Sequence, residues 1–316
     1  MNTLTSELSI FTGNANRQLA IEICDHLGIS LGEADVFQFS NENIFVKINE
    51  NVRGNDVFVI QSFSSPVNRS IMELLIMIDA LKRASAACVT AVIPYYAYGR
   101  TDKKDQPRVP ITARLVADCI TVAGAHRVVT LDMHAGQIQG FFNIPVDELT
   151  AQTIQAEYFA QKQIEDLTIV SADEGFAKKA RKLADRLNVP LAIVEKRRLG
   201  NEGITEAMGI IGNVAGRNAL IVDDEIDTAG SITQAVRVVR EQGARDIYCS
   251  ATHGIFSGPA IERLRAASLK ELVITNSIPP PDINRLPNLT VLSVAGLLAG
   301  AITRIHDGRS VSELFY

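Results

Sequence analysis

Ala219-Leu220-Ile221-Val222-Asp223-Asp224-Glu225-Ile226-Asp227-Thr228-Ala229-Gly230-Ser231-Ile232 sets an apolar run of β type against carboxylates, follows it with small residues, and resumes a helical period at Ile232, Ala235, Val236 and Val239. The order is strand, turn, helix. A helix entered through a small-residue loop presents unpaired backbone N–H groups and the positive end of its dipole, which suits a phosphate. Thr228 and Ser231 add hydroxyl donors. Carboxylates beside an anion site have a use, because they accept hydrogen bonds from sugar hydroxyls and hold hydrated Mg²⁺. The stretch therefore reads as a sugar-phosphate site. The plainer alternative is a buried strand with a polar turn. Against it stand the crowding of Asp223, Asp224 and Asp227 and the lack of any bulky side chain between Asp227 and Ile232.

Outward from this stretch, Leu167 to Ser171, Leu191 to Lys196, Glu271 to Thr275 and Leu289 to Ser293 read as further strands. Ala151 to Gln163 and Ala295 to His306 read as helices. In the first half, a strand at Ser9 to Thr12 precedes a helix over Arg17 to Leu27, stopped at Gly28. Asp35 to Phe39 and Ile44 to Ile48 flank the polar turn Ser40-Asn41-Glu42-Asn43 as a projecting hairpin. Asp56 to Gln61, the helix Ser70 to Arg83, and Cys88 to Pro94 give strand, helix, strand with nearly continuous apolar strands, the signature of a parallel sheet covered on both faces. Thr121 to Leu131 supplies another turn and strand, ending at Asp132-Met133-His134, and Phe141 to Pro145 is a connector. Asp56 to Pro94 also shares its layout with Asn218 to His253, although the first copy lacks the acidic loop. This weak repeat predicts two domains of one fold, 1–149 and 150–316.

A chain of 316 residues is long enough for two cores. Its formal charge of -5 argues against a nucleic-acid partner, for which a basic stripe is the usual footprint. Cys24, Cys88, Cys119 and Cys249 lie far apart with no paired spacing, which predicts a reducing, cytoplasmic setting. Met1 to Ile10 has neither the basic segment nor the apolar core of a signal peptide. The longest apolar run, Val291 to Ile302, is too short for a membrane span, so a soluble protein is expected.

Met72 to Ala80, Val89 to Tyr95, Gln137 to Phe142 and Thr252-His253-Gly254-Ile255-Phe256-Ser257-Gly258-Pro259-Ala260 resemble the ribose-phosphate pyrophosphokinases of the bacterial and mammalian class. The acidic stretch alone would be shared with type I phosphoribosyltransferases, but these segments extend the resemblance over nearly the whole chain. It implies an α/β protein of two tandem type I phosphoribosyltransferase-like domains, each a central, mainly parallel sheet flanked by helices. It also implies the Mg²⁺-dependent transfer of pyrophosphate from ATP to the C1 hydroxyl of ribose 5-phosphate, feeding nucleotide biosynthesis. Such chemistry needs charge neutralisation and in-line positioning more than covalent help.

The resemblance also distributes roles. Asp223 and Asp224 would take the ribose hydroxyls, and Asp227, Thr228, Ala229, Gly230 and Ser231 the 5-phosphate. Arg100, Thr101 and Asp105 lie in the charge run matching the ATP loop, with Thr101 where a Gln is usual. Phe39 and Asn41 lie on the hairpin that in this family reaches a neighbouring subunit's nucleotide, Phe39 stacking on adenine. His134 and Asp173 would hold the Mg²⁺ carried with ATP. Asp173, Glu174 and Gly175 would form the pyrophosphate loop, and Phe176, where a Gly is usual, would narrow it. Lys196 and Arg198 would be the catalytic cations, on a segment running into the small and polar Leu199 to Gly203, expected to be mobile. A homo-oligomer, expected as a hexamer, follows from the shared nucleotide site. Its phosphate activation would be altered by Asn51 beside Arg53, with Ser310 and Ser312 retained. Two other readings remain open: a synthetase-associated regulatory subunit without turnover, and a nucleobase phosphoribosyltransferase, which would have no use for the ATP loop.

Overall fold

The computed structural model describes residues 6–198 and 206–315, with the side chains of 196–198, 206–208, 283 and 315 left aside. Two compact units emerge, and the described residues of Met1–Thr150, Ser277–Pro279 and Ser293–Tyr316 make the first. Its elements are β1 (Leu8–Thr12), α1 (Arg17–Leu27), β2 (Ala34–Gln38), β3 (Ile44–Ile48), β4 (Asp56–Ile60), α2 (Val67–Arg83), β5 (Cys88–Ile93), α3 (Thr112–Ala123), β6 (Arg127–Leu131) and β7 (Val146–Leu149). The sheet runs β1-β4-β5-β6-β7 with every neighbouring pair parallel, while β2 and β3 pair antiparallel in a hairpin of their own.

Strand periodicity sorts the first core. Val57, Val59, Val89, Ala91 and Ile93 join Leu74, Met77, Ile78 and Leu81 of α2 and Val116, Ala117 and Ile120 of α3 in one apolar cluster. Phe58, Ile60 and Val92, on the alternate positions, are buried as well, so both faces of the sheet are covered.

Glu73 is a polar exception in this interior, 1% exposed. Burial alone would raise its pKa, but hydrogen bonds from the Asn14 side chain and backbone, Gln61 and Arg69 outweigh it, and the carboxyl is held below its ordinary 4.5. A depressed folded pKa gives stability that is complete above the unfolded value and lost as pH falls through the folded one. Glu73→Gln is expected to cost about 1–3 kcal/mol at pH 7, since an amide N–H then faces donors. Thermal melts at pH 7 and pH 3 check this: the deficit should shrink in acid, and equal deficits would contradict an ionic origin.

The second unit comprises the described residues of Ala151–Asn276 and Pro280–Leu292. In order come α4 (Gln152–Lys162), β8 (Leu167–Ser171), α5 (Ala177–Leu187), β9 (Leu191–Arg198), β10 (Glu206–Ile211), β11 (Asn218–Ile226), α6 (Gly230–Glu241), β12 (Ile247–Gly254), α7 (Ala260–Ala266), β13 (Glu271–Thr275) and β14 (Leu289–Leu292). The sheet order is β10-β9-β8-β11-β12-β13-β14, parallel except for the β10–β9 edge. Ile221 faces the cluster of Ile232, Val236 and Val239 of α6, and Leu220 and Val222 face that of Leu183 of α5 and Phe159 of α4.

Both units are thus α/β with parallel cores flanked by helices. The cut after residue 149 does not hold to the C-terminus. Helix α8 (Ala295–His306) packs on α1, and Ser293–Tyr316 falls with the first unit. Its apolar side, with Leu298 and Ile302 fully buried, is what ties it there. All four cysteines are free thiols. Among the described residues no helix is long and apolar enough to cross a membrane.

Candidate active site

In the second unit, β11 continues past the apolar run, through Asp223 and Asp224 to Ile226. The carboxylates therefore sit on regular strand backbone, with Glu225 in register with His253 of β12. Asp224 is 6% exposed, and its Oδ1 accepts the Glu225 N–H at 3.0 Å. Asp223 accepts the Asp224 N–H at 2.9 Å. Burial first, then the charges of Asp224 and Asp173, push the Asp223 pKa well above the ordinary carboxylate range. The neighbouring carboxylates thus oppose one another's ionisation, which a cation or a ligand's hydroxyl donors would relieve.

The turn that follows opens α6. Ala229 is its N-cap, in the left-handed region at φ 60, ψ 13, with no side-chain cap. The first-turn N–H groups are accordingly left for a ligand or water. Thr228 and Ser231 are exposed, Asp227 and Gly230 are half-buried, and Ala229 is buried. Arg263 Nη1 donates to the Thr228 carbonyl at 2.9 Å, and the Ser257 hydroxyl donates to Asp227 Oδ1.

The loop after β8 is tied by its own first carboxylate: Asp173 Oδ1 accepts the Phe176 N–H at 2.9 Å, and Ser171 Oγ donates to the Asp173 carbonyl at 2.7 Å. A Cβ on Gly175 would lie 3.3 Å from Asp173 Oδ1. Phe176 has helical backbone angles (φ -88, ψ -6), which require no glycine. Its ring joins the apolar cluster of Ala180, Leu183 and Ala184. Lys196 and Arg198 lie on β9, in register with Met208 and Glu206 of β10. Their side chains, and all of 199–205, lie outside the described residues.

In the first unit, Phe39 is 48% exposed at the hairpin tip, its ring 5.1 Å from Phe37 and 5.9 Å from Phe45. Asn41 Oδ1 accepts the Asn43 N–H at 3.2 Å, tightening the turn. Arg100 and Asp105 are exposed on the loop after β5. Thr101 turns its hydroxyl back to the Tyr98 carbonyl at 2.7 Å, serving the loop rather than pointing outward. His134, exposed after the end of β6, approaches this loop closely enough that a Cβ on Gly99 would lie 3.3 Å from its own.

The sequence reading missed Asp102, which is 9% exposed and accepts from Gln137 Nε2 at 2.7 Å, fastening the charged loop to the segment after His134. It also gave no role to Ser257 or Arg263. The three pairings join residues 30 or 35 positions apart, and no local pattern announces them.

Residues 8–124 match the family model described as the N-terminal domain of ribose phosphate pyrophosphokinase, and residues 200–316 match that of the phosphoribosyl synthetase-associated domain. Over 316 residues the chain is 55% identical to a ribose-phosphate pyrophosphokinase of Caldanaerobacter subterraneus subsp. tengcongensis, covering 100% of each chain. It is 51% identical over 308 residues to that of Bacillus subtilis, covering 98% of this chain and 97% of the relative. The crystal structure of phosphoribosylpyrophosphate synthetase from Mycobacterium smegmatis superposes with a TM-score of 0.91 at 43% identity, covering 96% of this chain and 100% of that one.

Proposed function

The chain belongs to the ribose-phosphate pyrophosphokinase family, and from that premise we propose how its residues divide the transfer of pyrophosphate from ATP to ribose 5-phosphate, the reaction of this enzyme. The observation that carries the reading is the full-length match. A nucleobase phosphoribosyltransferase would account for the acidic loop of the second unit and leave the first unit without a purpose. The C1 hydroxyl oxygen attacks the β-phosphorus, the bond to the oxygen bridging to the α-phosphorus breaks, and AMP leaves. No covalent enzyme intermediate is needed.

Asp223 and Asp224 accept the ribose hydroxyls, while the turn Asp227–Ser231 offers N–H groups and hydroxyls to the 5-phosphate. The loop of Asp173, Glu174 and Gly175 takes the pyrophosphate. Arg100, Thr101, Asp105 and His134 of the first unit serve ATP, with Thr101 shaping the loop through Tyr98. Phe39 offers an exposed aromatic face to adenine, and Asn41 holds the hairpin tip that carries it. Lys196 and Arg198 cancel charge developing on the transferring phosphates. The domain labels follow: ATP loop in the first unit, ribose 5-phosphate loop and catalytic cations in the second.

The donor chemistry fits Mg²⁺. Among the described residues no three His, Cys, Asp or Glu side chains close on one point. Mg²⁺ characteristically takes only one or two protein ligands and completes its shell with water and substrate phosphates. His134 and Asp173 would hold it, and when bound it would neutralise charge on the β- and γ-phosphates. The setting we propose is cytoplasmic, and the assembly a homo-hexamer in which Phe39 serves a neighbour's nucleotide. Light scattering at micromolar concentration should give a mass well above 34.3 kDa, and a monomer would remove the basis for a shared site.

The deciding experiment incubates the purified chain with Mg-ATP and ribose 5-phosphate and separates nucleotides by chromatography. AMP and 5-phosphoribosyl 1-pyrophosphate should appear in equal amounts. No AMP would leave a regulatory subunit. Nucleotide formed from a base and the activated sugar without ATP would identify a phosphoribosyltransferase.

A further inference from the structure

We propose that Ser257 and Arg263, on the turn after β12 and on α7, are positioning residues that aim the backbone N–H groups of the ribose 5-phosphate loop. The inference rests on the assignment of Asp227–Ser231 to the 5-phosphate. Its starting point is the segment Thr252 to Ala260, which marks the family in the sequence and has no role in the chemistry described above.

That segment is fastened to the loop residue by residue. The N–H groups of Ile255 and Phe256 both donate to the Ile226 carbonyl, at 3.0 and 3.1 Å, and the Ser257 N–H donates to the Asp227 carbonyl at 3.1 Å. Arg263 Nη1 takes the next carbonyl, that of Thr228, at 2.9 Å. The carbonyls of two successive peptide units, 227–228 and 228–229, are thus bound by the segment and by Arg263 of α7 after it. A trans peptide is planar with its C=O and N–H antiparallel. Binding those carbonyls turns the N–H groups of Thr228 and Ala229 to the opposite side, away from Ser257 and Arg263. Successive N–H groups facing one way form an anion-binding concavity.

Two further features show that this arrangement is held rather than relaxed. Ala229 sits at φ 60, a conformation an L-residue keeps only where its surroundings enforce it, and no side chain caps α6. The Ser257 hydroxyl also fixes the Asp227 carboxylate, which keeps that charge turned toward the segment. The segment in turn needs Gly254, where a Cβ would lie 2.7 Å from Ile274 Cδ1 and 2.9 Å from Phe256 Cε2. Phe256 itself takes φ 50, bending the chain back onto Ile226.

The test is steady-state kinetics of full-length Arg263→Ala, Arg263→Lys and Ser257→Ala, alongside Thr228→Gly and Ser231→Ala within the loop. Losing one charge-assisted hydrogen bond that aims the loop is expected to raise the KM for ribose 5-phosphate about tenfold in Arg263→Ala. The KM for ATP and the Tm without substrate should stay unchanged, with partial rescue in Arg263→Lys. Ser257→Ala should move the same KM by about threefold, and it serves if Arg263→Ala folds poorly. A purely structural role would lower Tm and active fraction with both KM values constant, and that result overturns the proposal. So does an unaltered ribose 5-phosphate KM in Arg263→Ala and Ser257→Ala while the two loop variants raise it. If the loop variants themselves leave that KM untouched, the assignment of Asp227–Ser231 fails, and the proposal fails with it.

Discussion

Lys196→Ala is expected to lower kcat by about 10³-fold while both KM values move by less than about threefold, measured as AMP release under saturating substrates. A preorganised donor or cation aimed at charge that develops only in the transition state is worth about 10²–10³ in kcat. A group of that kind leaves ground-state binding nearly alone, hence the split between kcat and KM. The sequence placed Lys196 at the end of a strand and beginning of a mobile segment, but β9 continues through Arg198 and pairs with β10 as far as Glu206. The backbone under Lys196 is therefore laddered, a rigid mount suited to a cation that must be in place before the charge appears. Lys196→Arg, which keeps the charge and changes its reach, should recover part of the loss. A kcat within tenfold of the parent in Lys196→Ala, or a loss carried wholly by KM, would remove Lys196 from the transition state.

What the sequence made legible follows from how local each signal is. The acidic loop could be read because strand, carboxylates, small residues and helix succeed one another within fourteen positions, and β11 and α6 lie where that order puts them. Helix α1 was legible to its last residue, since Gly28 takes the left-handed C-cap that glycine favours. By contrast α3 went unread. Its C-terminal Ile120-Thr121-Val122 is rich in β-branched residues and resembles a strand, and only packing of Val116, Ala117 and Ile120 on the sheet decides for helix. Strands β7 and β10 are short or at an edge, and each exists through its partner. In the site, the residue types were visible and their fastenings were not. Thr101 bonded to Tyr98, Asp102 to Gln137, and Phe176 turned into an apolar cluster are tertiary facts.

Asp224→Ala should lower kcat/KM for ribose 5-phosphate by about 10²–10³-fold and yet leave the protein at least as stable as before. The activity loss follows from a buried carboxylate built to accept substrate hydroxyls. Sites of that kind discriminate strongly, because either partner left alone is desolvated and unpaired. The stability result follows from Asp223, whose carboxyl is pushed up by burial and then by the charges of Asp224 and Asp173, so that deleting Asp224 removes a repulsion. Against that stand the bonds Asp224 makes, among them the one its Oδ1 accepts from the Glu225 N–H at 3.0 Å, each at about 1 kcal/mol. A cycle with substrate analogues separates binding from folding. The parent should reject 2-deoxy- or 3-deoxyribose 5-phosphate, and Asp224→Ala should lose most of the discrimination at whichever hydroxyl the carboxylate accepts. Full discrimination against both analogues in the variant would place the sugar hydroxyls elsewhere. A Tm lowered by several degrees would show that Asp224 holds the turn rather than the substrate. Activity lost with Tm retained is the signature of charge kept in the fold against stability, for a ligand whose hydroxyl donors relieve it.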